Sequence, residues 1–145
     1  MADVVDKATR SRMMAGIRGK NTKPELLVRK YLHSRGLRYR LHAKELSGKP
    51  DLVFPKYKAI VFVHGCFWHG HNCKLFKIPA TRPMFWKNKI AANIARDELV
   101  QRKLTESGWR VGIVWECALR GKSKNEIELL MREVAAWVTA SSNEE

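Results

Sequence analysis

The chain has 145 residues and sets 28 Lys+Arg against 14 Asp+Glu, a formal net charge of +14. That length suits one domain with its own core, and that charge makes a polyanion, nucleic acid before a membrane surface, the expected partner. Three cysteines, an odd number, speak against a disulfide scaffold. No long apolar run suggests a membrane span, and Asp3, Asp6, Lys7, Arg10 and Arg12 stand where a signal peptide would be apolar, so a cytoplasmic protein is expected.

In residues 1–22, Lys7, Arg10, Arg12, Arg18 and Lys20 surround Met13, Met14 and Ile17. This reads as a basic arm or short helix, too polar to build a core, and a disordered tail would have the same composition. Thr22-Lys23-Pro24-Glu25 predicts a helix start, with Thr22 as N-cap, Pro24 in the first turn and Glu25 closing a capping box. The helix runs to about Ser34 and Gly36 ends it. Leu37, Tyr39 and Leu41 alternate with Arg38 and Arg40, the pattern of a half-exposed strand. Gly48-Lys49-Pro50 turns the chain and delivers Asp51 to a second strand, Leu52-Val53-Phe54. After another turn, the apolar run over residues 59–63 predicts a third strand, covered on both faces. Asp51 alone would be a turn residue, but a hairpin brings it beside the end of that third strand.

There begins the densest chemistry in the chain: His64-Gly65-Cys66-Phe67-Trp68-His69-Gly70-His71-Asn72-Cys73. His71 and Cys73 are ligand types that zinc favours, yet two ligands do not close a tetrahedral site. His64 and His69 remain for proton or metal work. Residues 84–106 predict a long helix whose face carries Trp86, Ile90, Ile94, Val100 and Leu104. Asp97 falls in that apolar face, where a carboxylate needs a cation, a donor or a metal; Gln101 beside it leaves an ordinary polar network open. Residues 109–115 predict a fourth strand with Cys117 just past its end, and Ser123-x-x-Glu126 a second capping box opening the last helix. Residues 141–145 form a frayed tail. The order helix, three strands, helix, strand, helix describes one α/β domain, a mixed sheet flanked by helices, over residues 23–140.

Two sites can be assembled from these parts. His71, Cys73, Asp97 and Cys117 would close a tetrahedral, structural zinc site. Asp51, His64 and His69 would form a hydrolytic site in which a carboxylate binds Mg²⁺ beside imidazoles.

At these residues the sequence resembles the very short patch repair (Vsr) mismatch endonuclease family. The matching stretches are residues 6–11, Pro50-Asp51, His64 through His69, Phe76-Lys77, residues 79–82, 108–111 and 113–121, in one register along nearly the whole chain. The resemblance implies a restriction-endonuclease-like fold and Mg²⁺-dependent nicking 5′ to the thymine of a T:G mismatch left by deamination of 5-methylcytosine. It implies catalytic roles for Asp51, His64, His69 and Glu25, with Asp51 and the Val63 carbonyl meeting Mg²⁺. His71, Cys73, Asp97 and Cys117 match structural zinc ligands; Phe67, Trp68 and Trp86 match aromatics that wedge into the base stack, and Met14 and Ile17 match the DNA-contacting arm. It further implies double-stranded DNA as partner to a monomer, together with mismatch-repair and repair-polymerase proteins. The sequence departs from the family where Gly70 and Asn72 interrupt a histidine run. Two other readings keep the same residues: a non-catalytic zinc-stabilised DNA-binding module, and a restriction-like nuclease without a mismatch requirement.

Overall fold

In the computed structural model, which describes residues 22–140, Thr22 accepts a hydrogen bond from the Glu25 amide at 3.3 Å and opens helix α1 (Lys23–Ser34). Only half of the expected capping box forms. The Glu25 side chain is buried and its Oε2 lies 2.7 Å from His42 Nε2, so the carboxylate serves the interior of the protein. The expected basic arm, with Met14 and Ile17, lies outside the described residues except for Thr22, as does the tail at 141–145.

The first strand is shorter than alternation predicts. Leu37 closes the end of α1, its amide donating to the Leu32 carbonyl at 3.1 Å, and its side chain is buried in the core. Pairing therefore begins only at β1 (Arg40–Leu41), which lies antiparallel to β2 (Leu52–Phe54). A 3₁₀ turn at Pro55–Tyr57 leads through Lys58, at φ +53°, into β3 (Ala59–His64), antiparallel to β2. Helix α2 (Pro83–Glu106) then carries the chain to β4 (Arg110–Trp115), which pairs parallel with β3, and helix α3 (Lys124–Thr139) completes the domain. The four strands form one mixed sheet in the order β1-β2-β3-β4.

Period-two alternation sorts the side chains between two cores. Leu52, Phe54, Ala59, Val61 and Val114 face α1 and α3, packing on Val28, Leu32, Met131, Ala135 and Val138. Val53, Ile60 and Phe62 face α2, with Leu104 and the half-buried Val100, Val111 and Ile113. Truncating a side chain such as Phe54 or Leu32 to Ala would cost about 2–5 kcal/mol. On α3 both halves of the Ser123 capping box form: Ser123 Oγ accepts from the Glu126 amide at 3.1 Å, and Glu126 Oε1 from the Ser123 amide at 2.8 Å. The same alternation aims the site. Asp51 shares parity with Val53, and His64 with Ile60 and Phe62, so both leave the sheet on the α2 side, at the end where β2 begins and β3 stops.

Candidate active site and metal centre

Four contacts hold the loop after β3 against its neighbours. The Cys66 amide donates to Glu116 Oε1 at 3.2 Å, and Asn93 Nδ2 of α2 donates to the Trp68 carbonyl at 2.9 Å. The His71 ring stacks on Trp115, centroids 4.0 Å apart. Gly70, at φ +62°, sits where an added Cβ would come within 2.5 Å of Ile94 Cδ1 and 2.8 Å of Ile90 Cγ2. Both the backbone conformation and the close approach to α2 favour glycine there, which gives the first of the two breaks in the histidine run a structural reason.

Among the described residues, three groups of His, Cys, Asp and Glu bring their donor atoms within 4.8 Å of one another. The first is Cys66, His71, Cys73 and Cys117. Cys66 Sγ lies 3.6 Å and Cys117 Sγ 3.5 Å from His71 Nδ1, and the Cys117 amide donates to Cys66 Sγ at 3.3 Å. Burial pushes the Cys66 thiol up to about 12, so a thiolate there depends on a cation to displace its proton. Three sulfurs and one imidazole nitrogen make a complete tetrahedral donor set for a metal ion.

Of the four residues expected from sequence to bind zinc, His71, Cys73 and Cys117 come together, and Cys66 stands with them, whereas Asp97 lies with His69. Asp97 does have the partner that an apolar helix face demands: its Oδ2 lies 2.6 Å from His69 Nδ1. The need for a partner was legible, its identity was not. Cys66 carried a signal of its own, since Cys66-x₄-His71-x-Cys73 supplies three donors from one loop.

The second group is His64, His69 and Asp97. The two imidazoles stack face to face, centroids 3.6 Å apart with 3° between planes. Because a carboxylate only accepts, Asp97 fixes the proton of His69 on Nδ1 and leaves Nε2 as its free nitrogen. His64 is buried, and its Nδ1 has no hydrogen-bond partner among the described residues. Burial, with the neighbouring His69, holds its pKa down to about 4, so this ring is neutral at physiological pH.

The third group is Glu25, His42 and Asp51. Asp51 Oδ2 accepts from the Val63 amide at 2.7 Å. Burial raises its pKa to about 7 against that hydrogen bond, with the charge of Glu25 adding to the rise. Nothing in the sequence singled out His42, a lone histidine after a short strand. The second and third groups open on one cavity of about 470 Å³ whose lining includes Asp51, His64, His69 and Asp97 with the cations Lys44, Lys49 and Arg96. Carboxylates and imidazoles at the wall of a cleft rimmed by cations can accept an anionic substrate and move protons beside it.

Phe67, Trp68 and Trp86 also come together. Their centroids are 5.0 Å apart for Phe67–Trp68, 5.5 Å for Phe67–Trp86 and 5.8 Å for Trp68–Trp86, all edge to face. Each of the three is half-buried, and Phe85 next to Trp86 is 43 % exposed. No described helix is long and apolar enough to cross a membrane.

A family model described as DNA mismatch endonuclease Vsr matches residues 2–75. The chain is 48 % identical over 138 residues to the DNA mismatch endonuclease Vsr of Escherichia coli, covering 95 % of this chain and 88 % of that protein. It is 49 % identical to the type II nicking enzyme V.XorIIP of Xanthomonas oryzae pv. oryzae, over 82 % of this chain and 88 % of the relative. With the type II nicking enzyme V.NmeAIP of Neisseria meningitidis the identity is 44 %, over 92 % and 97 % of the two chains.

Proposed function

The chain belongs to the Vsr family of DNA mismatch endonucleases and is an endonuclease acting on DNA, and from that premise we propose that it nicks duplex DNA 5′ to the thymine of a T:G mismatch, in a Mg²⁺-dependent reaction. Family membership sets aside the non-catalytic module. The observation that carries the reading is the convergence of Asp51 with the stacked His64 and His69 at one end of the sheet, in a cleft rimmed by Lys44, Lys49 and Arg96. The mixed sheet with a carboxylate at the start of its second strand is compatible with a restriction-endonuclease-like fold.

The donor chemistry fits both cations. Cys66, His71, Cys73 and Cys117 would hold Zn²⁺, and with no position left for water its part is structural. Asp51, with the Val63 carbonyl, would hold Mg²⁺, and a divalent ion there supplies charge to offset that developing on the phosphate. The rest falls to side chains. Lys44, Lys49 and Arg96 attract the backbone of the DNA. His69, its Nδ1 proton fixed by Asp97, takes a proton from the attacking water at Nε2, and Asp97 stabilises the imidazolium that forms. His64 stays neutral beside it, because burial and the stacked ring both oppose a second positive charge. Glu25 lies close enough to Asp51 to act through water on the same cation. Phe67, Trp68 and Trp86 replace the stacking lost at a base step, which opens at least cost where a mismatch already weakens it.

The deciding assay compares nicking of T:G and T:A duplexes in Mg²⁺ and in EDTA. Nicking confined to T:G with Mg²⁺ present supports the proposal. Equal cutting of both duplexes would leave a nuclease without a mismatch requirement, and cutting in EDTA would remove the metal from the mechanism.

A further inference from the structure

Asp51 is flanked by two non-glycine residues in the left-handed backbone region, His42 and Lys49, each at φ +47°. That conformation is unfavourable for a residue with a Cβ and persists only where its surroundings enforce it; such residues gather at working sites. His42 is held at both ends. Its amide donates to the Asp51 carbonyl at 3.1 Å, while its ring Nε2 lies 2.7 Å from Glu25 Oε2. One residue thereby ties the start of β2 at Asp51 to the first turn of α1 at Glu25.

Glu25 is 1 % exposed, and Arg29 Nη1 lies 3.3 Å from its Oε2. Arg29, one turn along α1, and His42 therefore grip the same carboxylate oxygen, the imidazole at the shorter distance. Of the two, His42 belongs to the group with Asp51, the donor atoms of Glu25, His42 and Asp51 lying inside 4.8 Å of one another. A distance of 2.7 Å between imidazole nitrogen and carboxylate oxygen is that of a charge-assisted hydrogen bond. Partners that orient a metal-binding carboxylate govern cation affinity nearly as strongly as the ligands do.

We propose that His42 is a positioning residue of the cleavage site: its Nε2–H holds the Glu25 carboxylate facing Asp51, so that both carboxylates serve one divalent cation. The inference rests on the reading of Asp51 as a cation ligand given above.

The test compares the zinc-loaded wild-type chain with His42→Gly, His42→Asn and His42→Gln. Glycine adopts φ +47° freely, so it removes the ring without adding backbone strain. Asparagine tolerates the same conformation, is too short to reach Glu25, and serves if the glycine variant folds poorly. Glutamine retains an N–H donor of similar reach. Two quantities are measured: Mn²⁺ affinity of the protein alone, by electron paramagnetic resonance titration, and the Mg²⁺ concentration giving half-maximal nicking of a T:G duplex. His42→Gly and His42→Asn should weaken Mn²⁺ binding by about tenfold or more and raise the Mg²⁺ requirement by a similar factor. The rate at saturating Mg²⁺ should change less than about threefold, and His42→Gln should recover most of the cation affinity. If His42 only staples the hairpin to the helix, Tm falls while Mn²⁺ affinity of the folded protein is unchanged, and the proposal is overturned. Equal loss of affinity in the Gly and Gln variants overturns it as well. Wild-type nicking that needs no divalent cation would instead overturn the reading of Asp51, and the Mn²⁺ titration would still decide the role of His42.

Discussion

The loop after β3 feeds two metal-capable regions whose donors differ in kind. On one side Cys66, His71, Cys73 and Cys117 offer three sulfurs and a nitrogen, enough for a closed tetrahedron. On the other, the imidazoles of His64 and His69 stand with Asp97, while Asp51 stands with Glu25 and His42, a mixture of oxygens and nitrogens beside a cleft of about 470 Å³. A closed soft-donor set suits an ion that holds the loop in place. An open set of carboxylates suits a harder ion with room for water and phosphate. Residues 64–73 thus contribute to both regions, three donors to the sulfur-rich one and His64 and His69 to the other, and the choice of sulfur or oxygen separates them.

Removing the anchor should produce the largest effect. If the sulfur-rich group holds zinc as proposed, Cys66→Ala should lose it and with it most of the folding stability, because apparent structural zinc binding is on the order of 10 kcal/mol. Asp97→Ala should keep one metal per chain. Elemental analysis of protein purified without added metal checks both, and a metal-free Asp97→Ala alongside a metal-replete Cys66→Ala would reverse the assignment of the two regions.

On the working side the expected changes are in rate. With Asp51 as the proposed cation ligand, Asp51→Ala should lower nicking by on the order of a thousandfold or more, leaving duplex binding within about twofold. Asp97→Ala should slow nicking by roughly a hundredfold, by releasing the ring that Asp97 orients at 2.6 Å. Single-turnover nicking beside a gel-shift titration separates the two quantities. A parallel loss of binding and rate in Asp51→Ala would make it a DNA contact instead.

How much of this could be read from the chain depends on the range of the interaction concerned. Alternation along 52–54 and 59–64 is local and places Asp51 and His64 on one face of the sheet without reference to anything distant. The Ser123-x-x-Glu126 box is equally local and forms in full. Glu25 shows the limit: the same box pattern at Thr22 forms halfway, because a histidine seventeen residues on draws the carboxylate inward. Asp97 shows it again. An apolar helix face tells that a partner must exist, but which residue of the 64–73 loop meets it depends on how that loop packs on Ile90 and Ile94 through Gly70. His42 has no sequence signature, since its left-handed backbone is enforced by tertiary contacts.

The aromatics test whether the working surface extends beyond the cleft. Phe67, Trp68 and Trp86 touch one another while remaining half-buried. Trp68→Ala should therefore cost less stability than the roughly 3–5 kcal/mol of a fully buried aromatic. It should weaken mismatch binding by about 1–3 kcal/mol, leaving charge-driven, salt-dependent binding to matched duplex in place. Thermal melting and titrations of T:G and T:A duplexes would show it. A Trp68→Ala protein that melts early yet discriminates normally would make the ring part of the core alone.

The smallest expected effect is a pH dependence of stability in which two contributions oppose each other. With no Mg²⁺ added, burial raises Asp51 from 3.8 to about 7 and lowers His64 from 6.5 to about 4. Between those values the folded protein keeps a proton on Asp51 that the unfolded chain has released. The Asp51 contribution is therefore in place below about pH 4 and lost by about pH 7. His64 acts in the opposite sense: the unfolded chain takes up a proton that the buried ring refuses, so its contribution is present above about 6.5 and lost as pH falls toward 4. Each slope alone amounts to at most about 1.4 kcal/mol per pH unit, and over roughly pH 4.5–6.3 the two nearly cancel. Urea denaturation across that window should then show the Asp51→Asn variant gaining stability with rising pH relative to wild type, and His64→Gln losing it. Asn retains an oxygen for the Val63 amide, so the difference isolates the charge. If Asp51→Asn tracks wild type throughout the window, the metal-free carboxylate is already ionised, and a cation would bind Asp51 without displacing a proton.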